Sequence, residues 1–164
     1  MIILGIDPGL AITGYGLIEV SLQGNRQTAL IEAGVLRSSN HQPVAGRLKE
    51  IYDQLVSILK EFSPQFLAME EVYSSQKFPR SGLQIGNVQG IVFLAAEQHK
   101  IPVHTYFPIQ VKKSLIGYGR ANKMQVQKMV QDTFKLKSIP RPDDAADALA
   151  IALCHAGRAR GNFK

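Results

Sequence analysis

The chain reads as an α/β layered domain built on a mixed five-stranded sheet. Three observations predict it. Residues 2–7, 13–20 and 27–37 are strand-like runs joined by short connections bearing Gly or Asn, the pattern of an antiparallel meander. Residues 65–72 form a run that is apolar on both faces, as in a central strand covered by helices. Between and after these lie segments of helical period, giving the order βββαβαβααα. In residues 43–62, Val44, Leu48, Ile51, Leu55, Ile58 and Phe62 recur at spacings of three and four, and Pro64 follows as a stop. A polar loop spans 73–80, a helix 81–99, and a fifth strand 102–106. Three helical stretches follow, at about 108–116, 122–135 and 143–157.

With 164 residues, 45% of them hydrophobic, the chain suits one domain with a real core. That domain is expected to span 1–157, with a short basic tail at 158–164 carrying Arg158, Arg160 and Lys164; the tail reads as a disordered end rather than a DNA contact. Nineteen Lys and Arg face thirteen Asp and Glu, a net charge of +6 that favours a polyanionic partner without naming one. The one cysteine, Cys154, excludes an intrachain disulfide and sits in an apolar helical run, so it reads as core. No apolar stretch approaches the ~20 residues of a membrane span. The first strand reaches Asp7 too soon for a signal peptide, and a cytoplasmic, non-membrane protein is expected.

Four carboxylates stand out against this basic background. Asp7 closes the run Ile2-Ile3-Leu4-Gly5-Ile6-Asp7-Pro8-Gly9; Glu70 lies late in Phe66-Leu67-Ala68-Met69-Glu70-Glu71-Val72; Asp144 and Asp147 lie in the first turns of an apolar helix. Charges in apolar segments are costly unless paired. Each has a plain alternative. Asp-Pro-Gly is turn chemistry. Glu70 and Glu71 point to opposite faces of a strand, and periodicity does not choose between them. Asp143 reads as a helix cap. Asp147 is harder to set aside, because it shares a helix face with Asp144 and the two repel unless a cation lies between. Oxygen ligands of this type suit Mg²⁺ or Mn²⁺, and two such ions can drive an in-line phosphoryl displacement. His41, His99, His104 and His155 show no metal-ligand spacing.

Together these segments resemble the RuvC family of Holliday-junction resolvases, metal-dependent endonucleases of RNase H-like fold. Ile3-Leu4-Gly5-Ile6-Asp7-Pro8-Gly9 with Thr13-Gly14-Tyr15-Gly16 is similar to the family's opening hairpin. Met69-Glu70-Glu71-Val72-Tyr73 is similar to its second acidic strand, and Asp144-Ala145-Ala146-Asp147-Ala148-Leu149-Ala150-Ile151-Ala152 to its acidic helix. Gln110-Val111-Lys112-Lys113 and Asn122-Lys123-Met124-Gln125-Val126 resemble its basic DNA-facing segments. The resemblance covers about 1–157. It implies an RNase H-like α/β fold with helices on both faces of the sheet. It also implies catalytic and metal-binding roles for Asp7, Glu70, Asp144 and Asp147, with two Mg²⁺ per subunit, Asp7 bridging them and Mn²⁺ able to substitute.

Lys112, Lys113, Arg120, Lys123 and Lys128 cluster between the fifth strand and the acidic helix. They are either a solvated basic face or phosphate contacts; the resemblance singles out Lys112 and Lys123 beside the scissile phosphate. The loop after Glu70 mixes aromatic and basic residues, Tyr73, Lys77, Phe78 and Arg80. Its aromatics are either buried anchors or stacking partners for an unpaired base, and the resemblance favours stacking by Tyr73. Gly82, Gly86 and Gly90 recur every four residues on the second helix. Helical glycine costs about 1 kcal/mol per interior position, so the stripe implies close approach of another backbone, either the domain's own sheet or the same helix of a second subunit.

The resemblance implies a homodimer, four-way junction DNA as substrate, paired nicks leaving 5′-phosphate and 3′-hydroxyl ends, and cooperation with a RuvA–RuvB branch-migration complex. Three alternatives stay open. An RNase H-like nuclease could act on another branched or hybrid substrate, and a scaffold could bind junctions without cutting. An actin-like kinase shares the Ile-Asp-x-Gly hairpin but needs two lobes, for which this chain is short.

Overall fold

The computed structural model describes residues 1–21, 27–71 and 79–162. The strands are β1 (Ile2–Asp7), β2 (Ile12–Val20), β3 (Thr28–Arg37), β4 (Phe66–Glu70) and β5 (Val103–Tyr106); the helices are α1 (Val44–Phe62), α2 (Pro79–Gln98), α3 (Pro108–Ile116), α4 (Lys123–Phe134) and α5 (Asp143–Asn162). The expected order and the mixed sheet are present. The sheet runs β3-β2-β1-β4-β5. β1–β2 and β2–β3 are antiparallel, whereas β1–β4 and β4–β5 are parallel. Parallel pairs need long crossovers; α1 and α2 supply them.

Helices cover both faces. On one, Ile51, Leu55, Ile58 and Leu59 of α1 and Val88, Val92, Ala95 and Ala96 of α2 pack against Leu4, Ile6, Leu67 and Met69. On the other, α3, α4 and α5 contribute Val111, Val126, Val130, Leu149 and Ile151 over Ile3, Ile18 and Ala68. Alternation along β1 and β4 thus assigns odd positions of β1 and even positions of β4 to the α5 face. Cys154 is buried there, as its neighbours imply.

Helix ends follow local chemistry. α1 ends at Ser63, left-handed at φ 45°, one residue before Pro64. α4 starts with a capping box: Asn122 Oδ1 accepts the Gln125 N–H and Gln125 Oε1 accepts the Asn122 N–H, both at 2.9 Å. This fixes Lys123 as the first helical residue.

Two expectations need correction. α5 runs to Asn162, past Gly157, so residues 158–162 are helix rather than tail. The cause is packing: Ala159 is buried, and the Arg158 guanidinium lies 5.0 Å from the centre of the Tyr106 ring. Asp143 is the first residue of α5, and its carboxylate pairs with Arg141 and Lys123. No described helix is long and apolar enough to cross a membrane.

Candidate active site

The site forms where β1 and β4 end beneath the first turns of α5. Ile6 pairs with Met69 in the parallel register, so the next residues, Asp7 and Glu70, end adjacent strands side by side on the α5 face. Glu71 is turned elsewhere, and its Oε2 accepts the Thr105 hydroxyl at 3.0 Å. The register settles what periodicity left open. The turn after Asp7 is closed by Thr13, whose hydroxyl donates to Gly9 O at 2.7 Å. Asp7 is therefore not needed for that closure.

Glycines bring α5 down onto these strands. Gly5 pairs with Gly16 and Asp7 with Gly14 across β1–β2. A Cβ at Gly5 would lie 2.1 Å from Ala148 O, and one at Gly14 would lie 2.1 Å from Asp144 O. At Gly16 it would meet Leu149 Cδ2 at 2.7 Å. Only bare backbone permits this approach. It places Asp144 and Asp147 over the end of β1. Sequence reading missed this trough, although glycines inside strands were its signal.

The electrostatics record the crowding. Burial, then Glu70, Asp147 and Asp144 in turn, push the Asp7 carboxyl up to about 7, with Lys123 opposing. Burial and Asp147 raise Glu70 against Lys112 and Lys123. Asp147 is raised by burial, with Lys123 pulling it down and Asp143 and Asp144 pushing it up. The Lys123 ammonium, 2.9 Å from Asp147 Oδ2, is itself raised by that hydrogen bond.

A cleft of about 190 Å³ opens beside the carboxylates. Glu70, Asp147, Lys112 and Lys123 rim it, and Val111, Val126 and Ala150 line it. Lys112 and Lys123 thus stand together beside the acids, although α3 and α4 carry them separately. Lys113, Arg120 and Lys128 are exposed and do not line the cleft. Tyr73, Lys77 and Phe78 lie outside the described residues, and Arg80 falls in the first turn of α2.

The four expected carboxylates suit a hard divalent cation in donor type, since all offer oxygen, and in their mutual repulsion at Asp7. Among the described residues, no three His, Cys, Asp or Glu side chains converge on one point as they stand. The Lys123 ammonium pairs with Asp147. The residues fit such an ion in donor type, and coordination would require their side chains to converge.

The histidines stand away from the acids. His155 is buried, its Nδ1 hydrogen-bonded to Tyr106 Oη at 2.6 Å, and its ring lies 4.6 Å from that of His104. Burial, then His104, lower its pKa to about 4.

Three comparisons bear on this arrangement. The family profile described as crossover junction endodeoxyribonuclease RuvC matches residues 3–155. The chain is 47% identical over 156 residues to the protein of that name from Pelotomaculum thermopropionicum, covering 95% of this chain and 93% of the relative. Among solved structures it is similar to Thermus thermophilus RuvC, with TM-score 0.90 and 36% identity over 99% of this chain and 97% of the other. It is also similar to that protein in complex with Holliday junction substrate, with TM-score 0.89 and 36% identity over 99% and 96% of the two chains.

Proposed function

The chain belongs to the RuvC family of crossover junction endodeoxyribonucleases, and from that premise we propose that it resolves four-way DNA junctions by paired hydrolytic nicks in recombination and repair. The observation that carries this reading is that Glu70 and Asp147 share one cleft with Lys112 and Lys123, with Asp7 within electrostatic reach of Glu70, Asp144 and Asp147. Acids alone would repel a phosphodiester; acids with flanking ammonium groups can hold hard cations and a phosphate together.

The four carboxylates, Asp7, Glu70, Asp144 and Asp147, would hold Mg²⁺, two ions per subunit, with Mn²⁺ able to substitute. When bound, these ions polarise the attacking water and neutralise charge on the leaving oxygen. Water adds to phosphorus, the P–O3′ bond breaks, and the phosphate stays on the 5′ end. Lys112 and Lys123 face the non-bridging oxygens and hold the phosphate in line. The apolar wall of Val111, Val126 and Ala150 limits water at one side of the cleft. Tyr73, Lys77 and Arg80 extend the DNA surface in this reading, with Lys113 and Arg120 as outer phosphate contacts.

A second part of the proposal concerns assembly. Leu83, Phe93 and Leu94 are exposed on α2, and a Cβ at Gly86 or Gly90 would meet nothing within 4 Å. Positions 83, 86, 90, 93 and 94 lie on one helical stripe. The domain's own sheet therefore does not explain Gly86 and Gly90. A two-fold homodimer through α2 would cover the stripe, with Gly82 continuing it, and would offer one site to each of two junction strands. Cooperation with a RuvA–RuvB branch-migration complex extends this reading.

The test is cleavage of a labelled four-way junction in competition with unlabelled linear duplex and with an RNA–DNA hybrid of matching sequence. Selective paired nicking of the junction supports resolution. Preferential loss of signal to the hybrid moves the activity to RNA–DNA hydrolysis. Gly86→Leu tests the dimer: sizing columns should show monomer, and a stable dimer would refute the α2 interface.

A further inference from the structure

Lys123 is shared by two acids with different surroundings. Its Nζ lies 2.9 Å from Asp147 Oδ2 and 3.6 Å from Asp143 Oδ2. Asp147 belongs to the carboxylate set. Asp143 lies outside it, and its Oδ1 accepts from Arg141 Nη1.

A divalent cation on Asp147 repels the Lys123 ammonium and weakens its hold on that carboxylate. The Lys123 side chain is 54% exposed, so solvent is one place it can go when the site fills. Asp143 offers another that requires little motion. We propose that Asp143 is a positioning residue: it retains the Lys123 ammonium at the rim of the site when a cation takes Asp147. Lys123 then stays where a phosphate arrives. This rests on the reading of the four carboxylates as a cation site.

The experiment is a double-mutant cycle on Mn²⁺ binding, followed by electron paramagnetic resonance on the whole chain without DNA. Lys123→Met removes the competing ammonium and should tighten binding by roughly fivefold. Asp143→Asn should weaken binding by roughly threefold when Lys123 is present, and change it by less than about 1.5-fold in the Lys123→Met background. Thermal melts establish that each variant is folded. Equal weakening in both backgrounds would show that Asp143 acts on the ion through its own charge and would overturn the inference. No weakening in either background would overturn it as well. Absence of Mn²⁺ binding by the unaltered protein would instead refute the cation reading on which both stand.

Discussion

The two faces of the sheet are packed by different means. Toward α1 and α2, Leu4, Ile6, Leu17, Ile51, Leu55 and Met69 fill the space with long and branched chains. Toward α5, Gly5, Gly14 and Gly16 meet Ala148, Asp144 and Leu149 almost backbone to backbone. Bulk burial contributes about 1.5–3 kcal/mol per large aliphatic side chain and tolerates repacking. A glycine contact instead sets a distance. Both faces bury apolar chains, whereas the α5 face also fixes the position of Asp144 and Asp147 over Asp7.

Changes that separate the two faces should separate stability from activity. The largest effect belongs to the acids. Glu70→Gln should lower kcat/KM for junction cleavage by about 10³-fold, roughly 4 kcal/mol, whereas Glu71→Gln should change it less than about threefold. Similar losses from both would mean that the β1–β4 register is misassigned. Next comes the bulky face. Leu55→Ala should destabilise by about 3 kcal/mol in urea titrations and leave kcat near that of the unaltered chain.

His155 tests the α5 face far from the acids. Its folded pKa of about 4 lies below the ordinary 6.5, so the unfolded chain binds more protons between those values. The stability associated with neutral His155 is complete above pH 6.5 and lost as pH falls toward 4. Allowing for relaxation of the native state, the loss is on the order of 2 kcal/mol. The difference between urea titrations of the unaltered protein and His155→Phe, taken from pH 4 to 8, isolates it; parallel curves would refute it.

The last effect is geometric and falls on both properties. Gly14→Ala drives a methyl to within 2.1 Å of the Asp144 backbone oxygen, so α5 must shift; kcat should fall about tenfold and the midpoint of melting by roughly 5–10 °C. An unchanged kcat would mean that the trough does not position the acids.

Local pattern carried much of this arrangement. The period of α1 and the doubly apolar β4 are visible in the chain, and so are the acids themselves. What pairing decides was less accessible. Glu70 is distinguished from Glu71 by the alignment of Ile6 with Met69, a contact across 63 residues of sequence. Gly157 reads locally as a stop, yet tertiary packing of Ala159 and of Arg158 over Tyr106 carries α5 onward. The Asn122–Gln125 capping box, which the sequence reading passed over, marks where Lys123 enters the helix.

The central claim is that the acids gathered under α5 are the reacting centre and not a structural cluster. The most direct measurement is cleavage of an end-labelled four-way junction by the unaltered chain and by Asp7→Asn, each with Mg²⁺ and with EDTA, alongside binding by gel shift. The account predicts paired nicks that need Mg²⁺, and an Asp7→Asn protein that binds the junction and leaves it uncut. Cutting that persists in Asp7→Asn, or that proceeds in EDTA, would contradict it.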